Sequence, residues 1–379
     1  MADSPYPELK KTHTMARKGR PWTDYKPPPA APVWNVLCGL ASYSVLLAAR
    51  DLDVFGELQR SGEGTSEELA ERLGVSSSHL RILLDSLVVL GLLDQCRDIY
   101  DLNDTAKRYL LADSPASMLD LLPVAAGPAE NWQTLAETIR TGAPESPVDK
   151  DTGFYVPLVE GTFATQLRVA QRADFFVGYS RLDSPRLLEL GAGGAPWSVA
   201  VLQACEGATA VVNDLDFVLD VARRKVAEHS LAEHNLADRC EFRTGDYHNV
   251  PLEQGYFDLV VLGHICRAEG AEGTARLLGR AFEALRPGGQ VLVTDYFCDP
   301  TRKHNPHGVL MGATMMANTQ RGATFTPQEF HELLGKAGFA QARLVEPIGF
   351  QYLVTAAKPE TPQPETPKPE TPKTKIPKQ

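Results

Sequence analysis

The spacing of apolar residues along the chain changes near residue 180. Between residues 33 and 111 they recur every three or four positions, which is the period of an amphipathic helix. Beyond that point they form short runs separated by helix-like segments of about a dozen residues, which predicts a parallel sheet with helices on both faces. The predicted strands are RLLEL, TAVVND, CEFRTGD, FDLVVLG, QVLVTDY and ARLVEP, and FQYLVTAA is expected to pair on one edge.

The N-terminal pattern is that of a winged helix-turn-helix. Thr65 and Glu68 have the spacing of a capping box, and the helix they open is expected to stop at Gly74. A second helix and a polar, hairpin-like segment (DQCRDIYDLND) follow. The apolar face of the second helix consists of Leu80, Leu83, Leu84, Leu87 and Leu90.

The polar face of that second helix offers few groups that read DNA. It carries little more than His79, Arg81 and Asp85, whereas a helix that reads the major groove brings several basic and amide side chains. We therefore expect this segment to serve packing or dimerisation. A ligand-sensing regulator that binds DNA is the alternative from another functional class.

These patterns divide the chain into five predicted segments. The segments are 1–32, a disordered proline-rich stretch; 33–111, an all-α winged-helix-like dimerisation domain; 112–180, a helical linker; 181–357, an α/β domain; and 358–379, a disordered PETPK-repeat tail. The charge-free run at 27–49 is interrupted by Asn35, Ser42 and Ser44, so we expect a buried helix there and no membrane span.

Composition and charge narrow the class of protein. The 379 residues are 43% apolar and 23% charged, as in soluble globular proteins. A formal charge of −10 argues against nonspecific binding to nucleic acid. The six cysteines lack CxxC or metal-ligand spacing, and the N-terminus lacks the apolar core of a signal peptide. We expect a cytoplasmic protein with reduced thiols and no metal site.

A glycine-rich turn follows the first predicted strand of the sheet. In LLELGAGGAPW the glycines allow a ligand to approach backbone N–H groups at the start of a helix. Asp214 ends the next strand, where a carboxylate can accept hydrogen bonds from both ribose hydroxyls. Asp246 ends the following strand, where it or its neighbours can meet an adenine amino group. The pattern indicates an adenosine-containing ligand.

Two residues beside the turn favour S-adenosylmethionine over a dinucleotide. A dinucleotide site has GxGxxG without a preceding acid, whereas here Glu189 precedes the glycines and Pro196 takes the place of the last one. An acid at that point suits the cationic amino end of methionine better than a pyrophosphate. S-adenosylmethionine is therefore the expected cofactor.

Together these motifs resemble those of the class I S-adenosylmethionine-dependent methyltransferases. The order is ExGxG, an aspartate at the second strand, GD at the third, and LRPGG before the fifth. With the winged helix and linker, residues 33 to 357 are similar to small-molecule O-methyltransferases of the plant caffeate and bacterial hydroxyneurosporene or polyketide-tailoring type. The resemblance implies a Rossmann-like doubly wound sheet, a homodimer and a small-molecule acceptor. It also implies that 181–357 is the cofactor-binding catalytic domain and that the linker 112–180 roofs the substrate pocket.

The resemblance also implies a role for individual residues. Glu189, Gly191 and Gly193 would line the methionine and sulfonium part of the cofactor. Asp214 would bind the ribose, with Leu215 beside the adenine. The remaining implied contacts are Asp246 and Tyr247, which would flank the adenine, and Gly263 and His264, which would pass close to the sulfonium.

The stretch LGHICRAEG departs from this family at the catalytic position. Members that methylate phenols have a His-Asp pair here, with histidine as general base, and this pair falls on Arg267-Ala268. An arginine stays protonated and cannot serve as a base. Three hypotheses remain: His264 acts as the base, Arg267 holds an already anionic acceptor, or transfer relies on positioning and desolvation.

Each of these two residues also has a purely structural interpretation. His264 can simply bond to backbone at the cofactor edge, and Arg267 can form a surface ion pair with Glu269 or Glu272. Further candidates for the acceptor pocket are Met311, Met315, His307 and Phe163, although the methionines equally suit a core stripe.

The sequence thus predicts a methyltransferase that acts on a small organic acceptor, most naturally the oxygen of a phenol or enol. Because the usual base is missing, a C-methyltransferase or a relative that uses the same cofactor for other chemistry is the alternative. No nucleic acid or membrane partner is expected.

Overall fold

The computed structural model describes residues 30–148, 151–230, 235–348 and 351–360. The predicted disordered segments lie outside these ranges up to residue 29 and from residue 361 onward.

The N-terminal region is helical apart from three short strands. Its elements are α1 (Ala31–Asp51), α2 (Val54–Ser61), β1 (Gly64–Thr65), α3 (Ser66–Leu73), α4 (Ser77–Val89), β2 (Asp94–Cys96), β3 (Ile99–Asp101) and α5 (Asp104–Tyr109). The strands form an antiparallel sheet in the order β1-β3-β2, which is the wing of the predicted arrangement. The predicted capping box is present, because Thr65 and Glu68 bond each other's backbone N–H groups. Gly74 ends α3 in the left-handed conformation.

The expectation that the first apolar run forms a buried helix was wrong. In α1 only Ala49 is buried, and Val36 and Leu40 are 79% and 76% exposed. The cause is geometric: the first half of α1 extends beyond the elements that pack on its second half. Among the described residues, α1 is also the one helix whose length and composition would suit a membrane span.

Three helices connect the N-terminal region to the sheet. They are α6 (Ala129–Gln133), α7 (Leu135–Thr141) and α8 (Thr152–Val177). The long helix α8 packs against the first two helices of the sheet domain. The Asn131 side-chain amide donates to Asn318 Oδ1 at 3.0 Å, and this buried bond ties α6 to a helix near the C-terminus.

The C-terminal half is a seven-stranded, mostly parallel sheet with helices on both faces, as predicted. Its strands are β4 (Arg186–Leu190), β5 (Thr209–Asp214), β6 (Cys240–Thr244), β7 (Phe257–Gly263), β8 (Leu285–Asp295), β9 (Ala340–Ile348) and β10 (Gln351–Ala357). Its helices are α9 (Pro196–Ala204), α10 (Asp216–Ser230), α11 (Cys266–Ala284), α12 (Pro306–Asn318) and α13 (Pro327–Lys336).

The strand order β6-β5-β4-β7-β8-β10-β9 places β4 at the point where the chain reverses direction across the sheet. A crevice opens at such a switch point, beyond the carboxyl ends of the strands. FQYLVTAA was expected on an edge, but it forms β10, which pairs antiparallel with β8 on one side and with β9 on the other. β9 lies at that edge of the sheet.

Candidate active site

A cavity of about 560 Å³ occupies the crevice at the carboxyl ends of β4, β5, β6 and β7. Helix α8 and the first turn of α11 complete its wall. Most residues that the sequence singled out meet here. The predicted residues that line the cavity are Gly191, Gly193, Asp214, Leu215, Asp246, Tyr247, Gly263, His264, Arg267 and Phe163.

The glycine loop brings main chain directly against this cavity. Gly191 has a φ of +60°, and a Cβ placed there would lie 2.7 Å from Ile265 Cγ2. A side chain at this position would therefore be strained and would also clash. Pro196 follows as the first residue of α9, where its missing N–H costs nothing.

Glu189 lies beneath the glycine loop and does not line the cavity. Its carboxylate accepts hydrogen bonds from the backbone N–H of Trp197 at 3.3 Å, and from the backbone N–H and hydroxyl of Ser198 at 2.8 and 2.6 Å. It thereby caps the N-terminus of α9. Burial raises the pKa of Glu189 to about 7, although these donors favour the charged form.

Asp214 links β5 to the glycine loop and faces the cavity. Its Oδ2 accepts the Gly193 N–H at 2.8 Å, and its Oδ1 accepts the Leu215 N–H at 2.7 Å. Burial raises the pKa of Asp214 to about 6, against the effect of both donors. An ionised carboxylate has about four acceptor positions, so it has room for two more donors.

Arg267 forms a buried ion pair with Asp295, which corrects the expected pairing with Glu269 or Glu272. Its Nη1 donates to Asp295 Oδ1 and to the His264 carbonyl, each at 2.9 Å. Although burial alone would raise the pKa of Asp295, the charge of Arg267 and the hydrogen bonds lower it to about 2. The Nε–H of Arg267 is buried and has no partner among the described residues.

Both ring nitrogens of His264 face other side chains. Its Nε2 lies 3.0 Å from Gln351 Oε1, and its Nδ1 lies 3.7 Å from Asp295 Oδ1. The ring is almost fully buried, and burial lowers the pKa of His264, so the imidazole is neutral at pH 7. The backbone at His264 has a φ of +61°, in the strained left-handed region. Nε2 is thus hydrogen-bonded, whereas Nδ1 is buried and has no hydrogen-bond partner among the described residues.

A second polar cluster lines the cavity on the β6 side, and sequence reasoning missed two of its three members. The Tyr247 hydroxyl donates to Glu269 Oε1 at 2.7 Å, and His248 Nε2 lies 2.8 Å from Glu269 Oε2. Burial, followed by the bond to Glu269, raises the pKa of Tyr247, which keeps its proton. Both missed residues lie beside predicted motifs, because His248 follows Asp246-Tyr247 and Glu269 belongs to LGHICRAEG. Their position next to those motifs could have identified them as site residues.

Three predicted residues, Met311, Met315 and His307, do not line this cavity. They belong to α12, whose C-terminal end lies near Arg267: a Cβ on Gly322 would lie 2.9 Å from the Arg267 carbonyl oxygen and 3.0 Å from Met315 Cβ. The sequence also gave no way to select Tyr155, Leu158, Val159, Thr162 and Gln166 of α8, which do line it. The described residues contain no group of three or more side chains suited to a metal ion.

These features fit an adenosyl sulfonium. The main chain at Gly191 leaves space that no side chain could occupy, and the buried Asp214 has acceptor positions to spare for two ribose hydroxyls. The cavity carboxylates Asp214, Asp246 and Glu269 outnumber its one arginine, which suits a cationic ligand.

Two family models match the chain. The model of the O-methyltransferase dimerisation domain matches residues 34–112, and that of the O-methyltransferase domain matches residues 169–340.

Known proteins resemble the chain over most of its length. The 3-hydroxy-5-methyl-1-naphthoate 3-O-methyltransferase of Streptomyces sahachiroi is 26% identical over 319 residues, which cover 82% of this chain and 90% of that protein. The tetracenomycin polyketide synthesis 8-O-methyl transferase of Streptomyces glaucescens is 29% identical over 328 residues, 83% of this chain and 92% of its own. The structure of human N-acetylserotonin methyltransferase in complex with S-adenosylmethionine has a TM-score of 0.74 at 22% identity, covering 88% of this chain and 99% of that one. This last likeness concerns the fold.

Proposed function

The chain belongs to the family of S-adenosylmethionine-dependent O-methyltransferases with an N-terminal dimerisation domain, and on that premise we propose that it methylates a readily ionised hydroxyl, of a phenol or an enol, on a small organic molecule. The observation that carries the proposal is the arginine at the catalytic position: the Arg267 side chain lines the cavity, and Asp295 and the His264 carbonyl hold its Nη1 in place.

We assign each part of the cofactor to residues that line or support the crevice. The glycine loop at Gly191 and Gly193 would hold the methionine end, with Glu189 fixing α9 beneath it. Asp214 would accept the ribose hydroxyls, and Leu215 with Asp246 and Tyr247 would enclose the adenine. Gly263 and His264 would border the sulfonium. When bound, the cofactor supplies a methyl group on a positively charged sulfur.

The chain's own residues account for the choice of acceptor. A neutral phenol needs a base at the methyl group, but Arg267 cannot accept a proton. His264 is buried, with its Nε2 bonded to Gln351 and its unpaired Nδ1 lying 3.7 Å from Asp295 Oδ1. An acceptor that arrives ionised needs only a donor. The Nη2 group of Arg267 can donate to its oxygen, while Asp295 fixes the guanidinium through Nη1.

The names of the relatives agree with this acceptor class. One is a 3-O-methyltransferase of a hydroxynaphthoate, and another is an 8-O-methyl transferase of tetracenomycin polyketide synthesis. Where a hydroxyl is conjugated to a carbonyl, its pKa is lower and the negative charge of its anion is spread. We extend that acceptor class, not the individual molecules, to this chain.

We also propose that the protein is a cytoplasmic homodimer that pairs through α1. The support is the match of residues 34–112 to a dimerisation domain, together with the exposed apolar side chains of α1. Two copies would cover each other's apolar surface, which one chain leaves in water.

The test is product analysis with a set of acceptors of graded acidity. Purified protein is incubated with S-adenosylmethionine and each hydroxy-aromatic or enolic compound, and the methylated product and S-adenosylhomocysteine are measured by mass spectrometry. NMR of the product distinguishes a methoxy group from a new carbon–carbon bond. We expect O-methylation to follow the ionised fraction of the acceptor.

Variants of Arg267 separate binding of an anion from structural support. Arg267→Ala and Arg267→His are compared with Arg276→Ala, an exposed arginine on the same helix. We expect the alanine variant to raise KM for ionised acceptors at least about tenfold, because a charge-assisted hydrogen bond is lost. Unchanged KM and kcat in both Arg267 variants, or C-methylated product alone, would contradict the proposal.

A further inference from the structure

His264 follows the end of β7 in a backbone conformation that is strained for a residue with a side chain. Its φ of +61° lies in the left-handed region, which such a residue adopts only when its surroundings fix it. Two contacts fix it here: its backbone N–H donates to the Thr294 carbonyl at 2.8 Å, and its ring Nε2 lies 3.0 Å from Gln351 Oε1. Gln351, the first residue of β10, therefore helps to maintain the strained turn.

The strained turn directs the His264 carbonyl at the side chain of Arg267. Nη1 of Arg267 donates to this carbonyl and to Asp295 Oδ1, each at 2.9 Å. Asp295 also accepts the backbone N–H groups of Arg267 and Tyr296, at 3.0 and 2.9 Å. Because His264 and Asp295 hold the same Nη1 group, the position of the guanidinium depends on both of them.

The separation of His264 from Asp295 indicates which ring nitrogen carries the proton. Nδ1 lies 3.7 Å from Asp295 Oδ1, is buried and has no hydrogen-bond partner among the described residues. An Nδ1–H donor that faced a carboxylate would approach it to about 2.8 Å. A lone pair keeps its distance from a carboxylate, since both groups are acceptors. The proton of the neutral ring is therefore on Nε2, where the amide oxygen of Gln351 accepts it.

The surroundings of the ring keep it neutral. Among the described residues, the charged groups that act on it are Asp295 and Arg267, one of each sign. The Tyr296 ring packs beside it, with ring centroids 5.4 Å apart, and Gln351 contributes a neutral amide. Burial, together with the charge of Arg267, lowers the pKa of His264 against the effect of Asp295. At pH 7 the ring thus leaves Asp295 Oδ1 to Arg267.

We infer that Gln351 is a positioning residue for the methyl acceptor: by accepting the Nε2–H of His264, it keeps Nδ1 without a proton and reserves Asp295 for Arg267. The inference rests on the proposed function, in which Arg267 binds the ionised acceptor. A ring with its proton on Nδ1 would donate to Asp295 Oδ1 and compete with Nη1 of Arg267 for that oxygen. The guanidinium would then lose its fixed orientation at the cavity wall.

The first measurement is the tautomer of His264, by NMR of protein labelled with ¹³C at histidine Cδ2, whose chemical shift differs between the two tautomers. The wild-type protein is compared with Gln351→Leu, Gln351→Glu and Gln290→Leu, and the signal missing from His264→Phe is assigned to His264. Gln290 is the matched control, because it is half-buried on β8 and pairs with Ala357 at the opposite end of β10.

We expect the Nε2–H tautomer in the wild type and in Gln290→Leu. In Gln351→Leu the proton should move to Nδ1, because Nε2–H has lost its acceptor and Asp295 offers one. In Gln351→Glu both nitrogens should be protonated at pH 7, since a second carboxylate beside the ring raises the pKa of His264.

The second measurement is KM and kcat for the most reactive acceptor of the graded set, at saturating S-adenosylmethionine. KM should rise at least about fivefold in both Gln351 variants, with kcat within about twofold, because a weaker hold on Arg267 reduces binding of the acceptor. Affinity for S-adenosylhomocysteine should stay within about threefold of the wild type, which verifies that the variants are folded. Gln290→Leu should match the wild type in each value.

Two results would overturn the inference: an Nδ1–H tautomer in the wild type, which needs no Gln351 variant, or an unchanged acceptor KM in both Gln351 variants. A wild type that methylates no acceptor of the set overturns the proposed function instead. The spectra require no acceptor, so the tautomer in Gln351→Leu still decides whether Gln351 controls the His264 ring.

Discussion

In the sheet domain the largest apolar side chains are buried by their own chain, whereas in α1 they lie on the surface. Trp197 is 0% and Phe257 1% exposed, and Trp34 at the start of α1 is 63% exposed. One region is complete within a single copy. The first half of α1 has the apolar composition of a protein interior, but no other described part of the same chain covers it.

The same contrast holds for the polar groups inside each region. Asp295 in the sheet domain is 2% exposed and is paired with Arg267 of the same chain. The exposed stretch of α1 from Ala31 to Ala41 has no charged residue to keep it in water. Ligand binding and association are thus assigned to different regions, and the following changes test that separation.

The largest effect is expected from Gly191→Val. A β-branched side chain with φ near +60° is strained, and its Cβ would lie 2.7 Å from Ile265 Cγ2. Binding of S-adenosylhomocysteine should weaken more than about 1000-fold in calorimetry, from clash and lost backbone contact. Gly279→Ala, where a Cβ meets nothing within 4 Å, is the control. Loss of dimerisation in Gly191→Val would contradict the separation.

The double change Val36→Glu and Leu40→Glu tests the other region. Two carboxylates in a proposed apolar interface should raise the dimer dissociation constant at least about 100-fold, as measured by analytical ultracentrifugation. Affinity for S-adenosylhomocysteine should stay within about threefold. The control is Ile139→Glu, at an exposed apolar residue on α7. A double variant that remains dimeric would show that α1 is not the interface.

Asp214→Asn is expected to have an intermediate effect that depends on pH. Burial raises the pKa of Asp214 to about 6. In the proposed site the ionised form accepts the ribose hydroxyls. Wild-type affinity should therefore be constant above pH 7 and fall as pH drops below 6, by up to about tenfold per pH unit. The asparagine variant should bind about 30-fold more weakly at pH 8. A variant that keeps the wild-type pH dependence would assign it to another group.

The smallest effects are expected from the two capping boxes. Thr65→Ala removes the cap of α3 and Thr326→Ala that of α13, and each should cost about 1 kcal/mol in the free energy of unfolding. The first should also weaken dimerisation, because α3 supports the helices beside α1. Chemical denaturation measures the free energy of unfolding, and analytical ultracentrifugation measures dimerisation. If both changes weakened dimerisation equally, dimerisation would not depend on the N-terminal region alone.

The sheet and the caps could be predicted because their causes are local. Short apolar runs separated by helix-like segments predict the strands of a parallel sheet, and Thr65 with Glu68 forms a capping box without help from distant residues. The glycine loop and Asp214 could be placed for the same reason, since carboxyl ends of parallel strands meet at one edge. The position of β10 inside the sheet could not be predicted in this way, because strand order depends on how a hairpin packs.

Side-chain partners could not be predicted from spacing. The partner of Arg267 is Asp295, 28 positions along the chain, and not the nearby Glu269 or Glu272. Glu269 bonds to residues 21 and 22 positions before it. The exposure of α1 could not be predicted either, because an apolar helix in a core and one at an interface have the same sequence pattern.

The sequence by itself determined the strands, the helix starts and the set of residues at the carboxyl edge of the sheet, since these follow from the chemistry of neighbouring residues. Only the tertiary structure decided which charges neutralise each other, which imidazole nitrogens face other side chains and which apolar face stays uncovered. Those outcomes depend on distances between residues far apart in the chain. Hydrogen bonds and ion pairs form over about 3 Å, a scale that only the packed fold sets.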